Sequence, residues 1–165
     1  MPVYQLDSPK QIEQVSNNLY LDALIMSPSL KNEDDMNKEV DRALTDPSQS
    51  QFLNNYRLGD FIQNVNEDDA QLILPENSPT PSSKKRKRFR KLKKKLKMVL
   101  CDIWNNLKKK DDKYSIKNII KIAVNFIGKF FGGIPDLIRT ILTKVAGYLI
   151  NKGFEILCPM PEVEK

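Results

Sequence analysis

Residues 84–97, KKRKRFRKLKKKLK, carry Lys or Arg at eleven of fourteen positions, and the three exceptions, Phe89, Leu92 and Leu96, are apolar and fall at helical spacing. A solvated charge run needs no such spacing. The apolar line continues through Val99, Ile103 and Leu107, with Leu100 and Trp104 beside it. The pattern therefore predicts a basic amphipathic helix over 84–110, coupling anion binding to burial of an apolar face. The candidate anion-binding residues are Lys84, Lys85, Arg86, Lys87 and Arg88, then Arg90, Lys91, Lys93, Lys94, Lys95 and Lys97. Like charges recur at i, i+4, as in Arg86 with Arg90 and Lys91 with Lys95, and each pair disfavours an isolated helix by roughly a few tenths of a kcal/mol. The segment is expected to gain helix when something neutralises it.

Charge is divided unevenly along the chain. Residues 1–83 hold 5 basic and 14 acidic side chains, a net of −9, and residues 84–165 hold 22 basic and 7 acidic, a net of +15, giving +6 for the 165 residues. Such asymmetry points to an anionic membrane surface or nucleic acid as the partner of the basic half, with the acidic half as an interaction region. A second consequence is attraction between the halves themselves, which would mask the basic run until a partner competes.

No histidine occurs, which removes Ser-His and Cys-His catalysis and His-bound zinc. The two cysteines, Cys101 and Cys158, are too few for a structural zinc site and too far apart for a Cys-x-x-Cys pair. They are expected to be buried or idle thiols in a reducing, intracellular compartment, with the nucleus or a membrane surface as destination. The opening MPVYQLDSPKQIEQ has neither a basic n-region nor an apolar h-region, so no secretory signal is expected. No Gly-rich phosphate loop or positioned carboxylate pair is visible, and the chain is read as a non-enzyme with no cofactor and no metal.

Residues 1–77 are rich in Asn, Asp, Gln, Ser and Glu, and their apolar positions form no long stripe, so they are expected to be an acidic, largely disordered region. One helix is signalled by Ser8 as N-cap and Pro9 at the first helical position, with Ile12, Val15 and Leu19 on one face and an end at Ser27-Pro28. A weaker stretch spans Phe52 to Val65, interrupted at Gly59. Both are expected to order on binding. Residues 66–77, NEDDAQLILPEN, resemble the hydrophobic-acidic motif that binds ubiquitin-like modifiers, in which the Leu72–Leu74 run would add as a strand to a partner's sheet edge; a host protein is the partner implied. SPTPSS, 78–83, forms a linker in which phosphorylation of Ser78 or Thr80 would weaken anion binding.

Residues 111–157 are expected to form an apolar αα-hairpin. Ser115 caps a helix from Ile116 to Phe131, Gly132 and Gly133 stop it, and Pro135 opens a third helix over 137–157, softened by Gly147 and Gly153. The apolar arcs carry the candidate membrane or self-association residues: Ile119, Ile120, Ala123, Ile127, Phe130 and Phe131 on the first arm, and Leu137, Ile138, Ile141, Leu142, Val145 and Leu149 on the second. The first arm reaches about 24 Å against a hydrocarbon core near 30 Å, so lying in the interface is favoured over spanning. The same arcs would equally suit the core of a soluble bundle or a homo-oligomer. Residues 158–165 form a tail.

The expected fold is thus mostly α: a flexible acidic half, a basic amphipathic helix and a helical hairpin making a small three-helix unit. KKRKR, 84–88, resembles a nuclear localisation signal, implying a nuclear import receptor as partner. The three-part plan resembles, in architecture, small viral accessory proteins such as the C proteins of paramyxoviruses. The function expected is that of a non-enzymatic regulatory or accessory protein, which binds an anionic surface through 84–110 and self-associates or attaches to membranes through 116–157. The alternative is a small helical capsid-like protein that packages nucleic acid through phosphate contacts.

Overall fold

The structure is a computed structural model that describes residues 3–4, 9–63, 65, 83–109 and 115–158. Among them the elements are helices α1 (Pro9–Met26), α2 (Glu33–Asp41), α3 (Pro47–Ser50), α4 (Tyr56–Phe61), α5 (Ser83–Lys109), α6 (Ile116–Phe131), α7 (Asp136–Lys152) and α8 (Phe154–Leu157). Short 3-10 turns follow α1, α2 and α3, and strand β1 (Val3–Tyr4) pairs antiparallel with β2 (Ile134–Pro135). The mostly-α expectation is met, and α6 has the bounds that the sequence predicts.

The hairpin is built as its residues dictate. The Ser115 hydroxyl accepts the Asn118 amide at 3.1 Å and caps α6. Gly132, at φ +73°, ends α6 in the left-handed region, and the Gly133 amide donates to the Gly128 carbonyl at 2.8 Å. Pro135 closes the turn from within β2 instead of opening the helix, which starts one residue later.

The acidic half departs from expectation. Residues 9–63 are not a loose arm: α1 packs across both α6 and α7, α2 lies on α7, and the segment around Phe52 reaches α5. The partner on which these residues order is the hairpin of the same chain. Leu19, Leu30, Leu53 and Leu58 are wholly buried and join Phe89, Leu92, Leu96 and the hairpin residues in one apolar core. The physical reason is that each short helix brings only a few apolar side chains, but the broad arc of α6 and α7 offers a surface for all of them. Local caps hold these helices: Asn32 accepts the Asp35 amide at 2.8 Å, Asp46 the Ser48 amide at 3.0 Å and Asn55 the Arg57 amide at 2.8 Å. The Ser48 hydroxyl and amide hold the exposed Asp46 carboxyl below the usual carboxylate range. Ser8, residues 66–77 with their hydrophobic-acidic motif, and Ser78 and Thr80 lie outside the described residues.

Three aromatic contacts fasten the 52–62 segment to the end of α6: Phe61 lies 5.1 Å from Phe131 and 5.3 Å from Phe130, and Phe52 lies 5.5 Å from Phe131. At the other end of the hairpin, Gly147 lets α1 approach closely. A Cβ there would meet Leu30 Cδ1 at 2.9 Å and the Ala23 carbonyl oxygen at 3.1 Å.

Candidate anion-binding site

Helix α5 is a single 27-residue rod whose apolar side is the floor of the core. Phe89, Leu92, Leu96, Leu100 and Trp104 all face inward, so the tertiary contact carries the helix through its run of like charges. The period of 3.6 residues then sorts the cations. Lys84, Lys87, Lys91 and Lys94 run along the side opposite the core, Arg86, Arg90, Lys93 and Lys97 along one flank, and Arg88 and Lys95 along the other.

Not all of them are available to an external anion. Lys93 is buried, donating to Asp41 Oδ1 at 3.1 Å and Asn37 Oδ1 at 3.2 Å. Arg88 donates to the Leu53 carbonyl at 2.9 Å, and the Lys95 ammonium stands 5.5 Å from the centre of the Phe61 ring. The anion-binding role expected of Lys93 is therefore corrected, because its charge is met inside the fold; Arg88 and Lys95, partly exposed, also make contacts that join the halves of the chain. Arg139 with Asp22 (3.2 Å) and Lys144 with Glu39 (3.0 Å) add two more ion pairs between the halves.

Arg86 and Arg90 stand apart. They sit one turn apart on the same flank, partly exposed, and each has a buried Nε with no hydrogen-bond acceptor among the described residues. A buried guanidinium donor without an acceptor is costly, and the guanidinium groups of two arginines one turn apart are donors of the kind that bind oxyanions.

The candidate membrane or self-association residues lie where the bundle alternative puts them. Ile119, Ile120, Ala123, Ile127, Leu137, Ile138, Ile141, Leu142, Val145 and Leu149 are all core residues of the single chain, at most 2 % exposed. Phe130 and Phe131 are half-buried against the same core. The arc that exceeds one neighbour's reach is covered by α1, α2 and the 52–62 segment on one side and α5 on the other. Among the described residues no helix is long and apolar enough to cross a membrane.

A second feature adjoins α5. A cleft of about 360 Å³ opens between α2, α5 and α7, lined by Glu33, Met36, Asn37, Lys93, Lys94, Lys97, Met98, Cys101, Asp102, Asn105 and Val145. Cys101 is bonded to Cys158, with their Cα atoms 5.3 Å apart across 57 residues of sequence. The reading of these cysteines as idle thiols is corrected: spacing excludes a local redox pair, but folding brings α8 back along α5, where Phe154 also meets Trp104 at 6.3 Å.

No protein family, characterised protein or solved structure matches this chain.

Sequence reasoning located the cations and the helix that carries them, but not which face they occupy. Helical phase relative to Phe89, Leu92 and Leu96 was the available signal. It missed the role of the acids Glu33, Asp34 and Asp35, which occupy the first turn of α2 behind the Asn32 cap, where the helix dipole favours negative charge.

Proposed function

We propose that this chain is a non-enzymatic accessory protein that docks on an anionic, phosphate-bearing surface through the outer side of α5, with the remaining helices holding that side rigid. The observation that carries the reading is the pair of buried, acceptor-free Nε–H groups on Arg86 and Arg90, flanked by the line of Lys84, Lys87 and Lys91. Lysines supply attraction at a distance, and the two guanidinium groups supply directed bonds to phosphate oxygens. Docking of this kind keeps the fold closed. Insertion or self-association through the hairpin would first require α1 and α2 to leave it.

The test is pelleting of the whole protein with vesicles containing phosphatidylserine against vesicles of phosphatidylcholine alone, over a range of salt. Binding should require the anionic lipid and weaken as salt rises. The double substitution Arg86→Lys with Arg90→Lys keeps every charge but removes the planar fork, and should weaken binding several-fold. Binding that is indifferent to that substitution removes the directed part of the proposal, and equal binding to neutral vesicles removes all of it.

Nucleic acid is the second reading, and one observation favours it. The apolar side of α5 is committed to the core, so the helix has no apolar face to offer a bilayer, while phosphate contact needs none. A duplex that displaces the protein from anionic vesicles at low salt, with little dependence on base sequence, supports this version. The Cys101–Cys158 bond belongs with an oxidising compartment in either reading.

A further inference from the structure

The two cysteines of the disulfide do not share the same surroundings. Cys101 and Cys158 are 4 % and 3 % exposed, so entry to the bond depends on which of them a cavity reaches. The cleft between α2, α5 and α7 is lined by Cys101 and, among the described residues, not by Cys158. The other cavity near the bond, between Trp104, Ile119, Phe154 and Ile156, is lined by neither. Met98, one turn before Cys101 on α5, lines the cleft and is 41 % exposed, so the cleft opens to solvent beside it. One half of the bond stands on the wall of an open cleft, and the other half is enclosed at the end of α8.

The cleft sets a limit on what can enter. Its volume of about 360 Å³ lies within the range of small-molecule sites. Met36, Met98 and Val145 give it an apolar lining, and Met98, unbranched and flexible, can move aside for a small visitor. The walls belong to three helices, α2, α5 and α7, and their packing excludes a folded protein from the same path.

Disulfides exchange by attack of a thiolate on one sulfur with the other as leaving group, and access decides which sulfur is attacked. We propose that Cys101 is a site of thiol–disulfide exchange for small-molecule thiols, which reach it through this cleft. The thiolate sulfur bonds to Cys101 Sγ as the bond to Cys158 Sγ breaks, and Cys158 leaves with the electron pair and takes a proton from water. A second thiol molecule then displaces the first from Cys101. Two thiols are thereby oxidised to one small disulfide, and the protein disulfide is reduced to two thiols. The departing sulfur lies at the end of α8, a single turn that follows Gly153 at φ +96°. After exchange, α8 meets α5 through side-chain contacts such as Phe154 with Trp104 instead of a covalent bond. The proposal is independent of docking through Arg86 and Arg90.

The experiment treats the whole oxidised protein with reduced glutathione, stops the reaction early with N-ethylmaleimide and maps both cysteines by mass spectrometry. Glutathione should be found on Cys101 and the maleimide on Cys158. The rate should be unchanged by urea below the unfolding transition, because attack through the cleft needs no opening of the fold. Met98→Trp, which fills the mouth of the cleft at a partly exposed position, should slow the reaction at least about tenfold, and thioredoxin at equal thiol concentration should react more slowly than glutathione. Glutathione on Cys158 or on both cysteines alike, a rate that climbs with urea, or a faster reaction with thioredoxin would each overturn the assignment. So would a native protein that forms no adduct, or a folded Met98→Trp that reacts at the natural rate. The mapping and urea measurements use the unaltered protein, so the test stands even if the variant misfolds.

Discussion

Lys93, in the middle of the most basic segment of the chain, is buried against Asp41 of the acidic half, with Nζ 3.1 Å from Oδ1 and the carboxylate wholly buried. Asn37 accepts a second bond from the same ammonium at 3.2 Å. A buried pair of this sort contributes little net stability over apolar residues of similar size, but removing one member strands the other.

Lys93→Met should therefore destabilise the protein by about 3–5 kcal/mol, leaving Asp41 without its cation. Adding Asp41→Leu should restore most of the loss. Urea unfolding of the two single variants and the double variant measures the coupling, and additive losses would show that the halves do not meet at this pair.

Gly147 tests the approach of α1 to α7 without touching a charge. In an open helix, Gly→Ala stabilises by up to about 1 kcal/mol. Here the added methyl would press on Leu30 and the Ala23 carbonyl, so Gly147→Ala should destabilise by about 1–3 kcal/mol. A melting temperature that rises would mean that α1 does not lie on this face.

The Tyr148 phenol is buried, and burial followed by the charge of Glu33 raises its pKa above the ordinary value near 10. Below that value the phenol is protonated in both folded and unfolded chains, and its contribution to stability is constant. As pH rises past it, the unfolded chain loses its proton first, so stability falls until the folded phenol also ionises. An alkaline titration followed by tyrosinate absorbance should show a late component that Tyr148→Phe removes, and the variant should lose less stability in the same pH range.

The disulfide predicts a loss of about 2–4 kcal/mol in Cys101→Ser with Cys158→Ser, chiefly because the unfolded chain regains the freedom of the enclosed loop. Thermal unfolding with and without reductant should reproduce that difference in the natural protein and show none in the variant. The reverse result, free thiols in the purified folded protein, would place Cys101 and Cys158 apart.

The long helices were legible because each carries a continuous stripe. Phe89 to Leu107 and Ile116 to Phe131 announce their period within a few turns, and Ser115, Gly132 and Gly133 mark where α6 starts and stops. The third expected helix over 137–157 is divided at Gly153, which adopts φ +96° and releases the chain into α8. The acidic half was not legible as part of the core because its burial is dispersed. Leu30, Leu53 and Ile62 sit in turns or at helix ends, where neither period applies, and their partners lie far along the chain, on α5 or on the hairpin. What local sequence did offer was punctuation: Asn32, Asp46 and Asn55 each stand before a helix and cap it. At the candidate site, the sequence identified the cations but not the divide between Arg86 or Arg90, whose buried Nε–H groups meet no acceptor among the described residues, and Lys93 or Arg88, which bond to the acidic half.

The bond between Cys101 and Cys158 closes a covalent ring that contains the last turns of α5, all of α6 and all of α7. A protease that cuts once between those two positions severs the backbone without releasing a piece. The nicked protein keeps its mass under non-denaturing and denaturing conditions alike, and it comes apart into two fragments only when a reductant is added. Cleavage near the Lys-rich stretch at 108–110 would thus pass unnoticed on a non-reducing gel, while the same cut before residue 101 would free the acidic half at once upon unfolding.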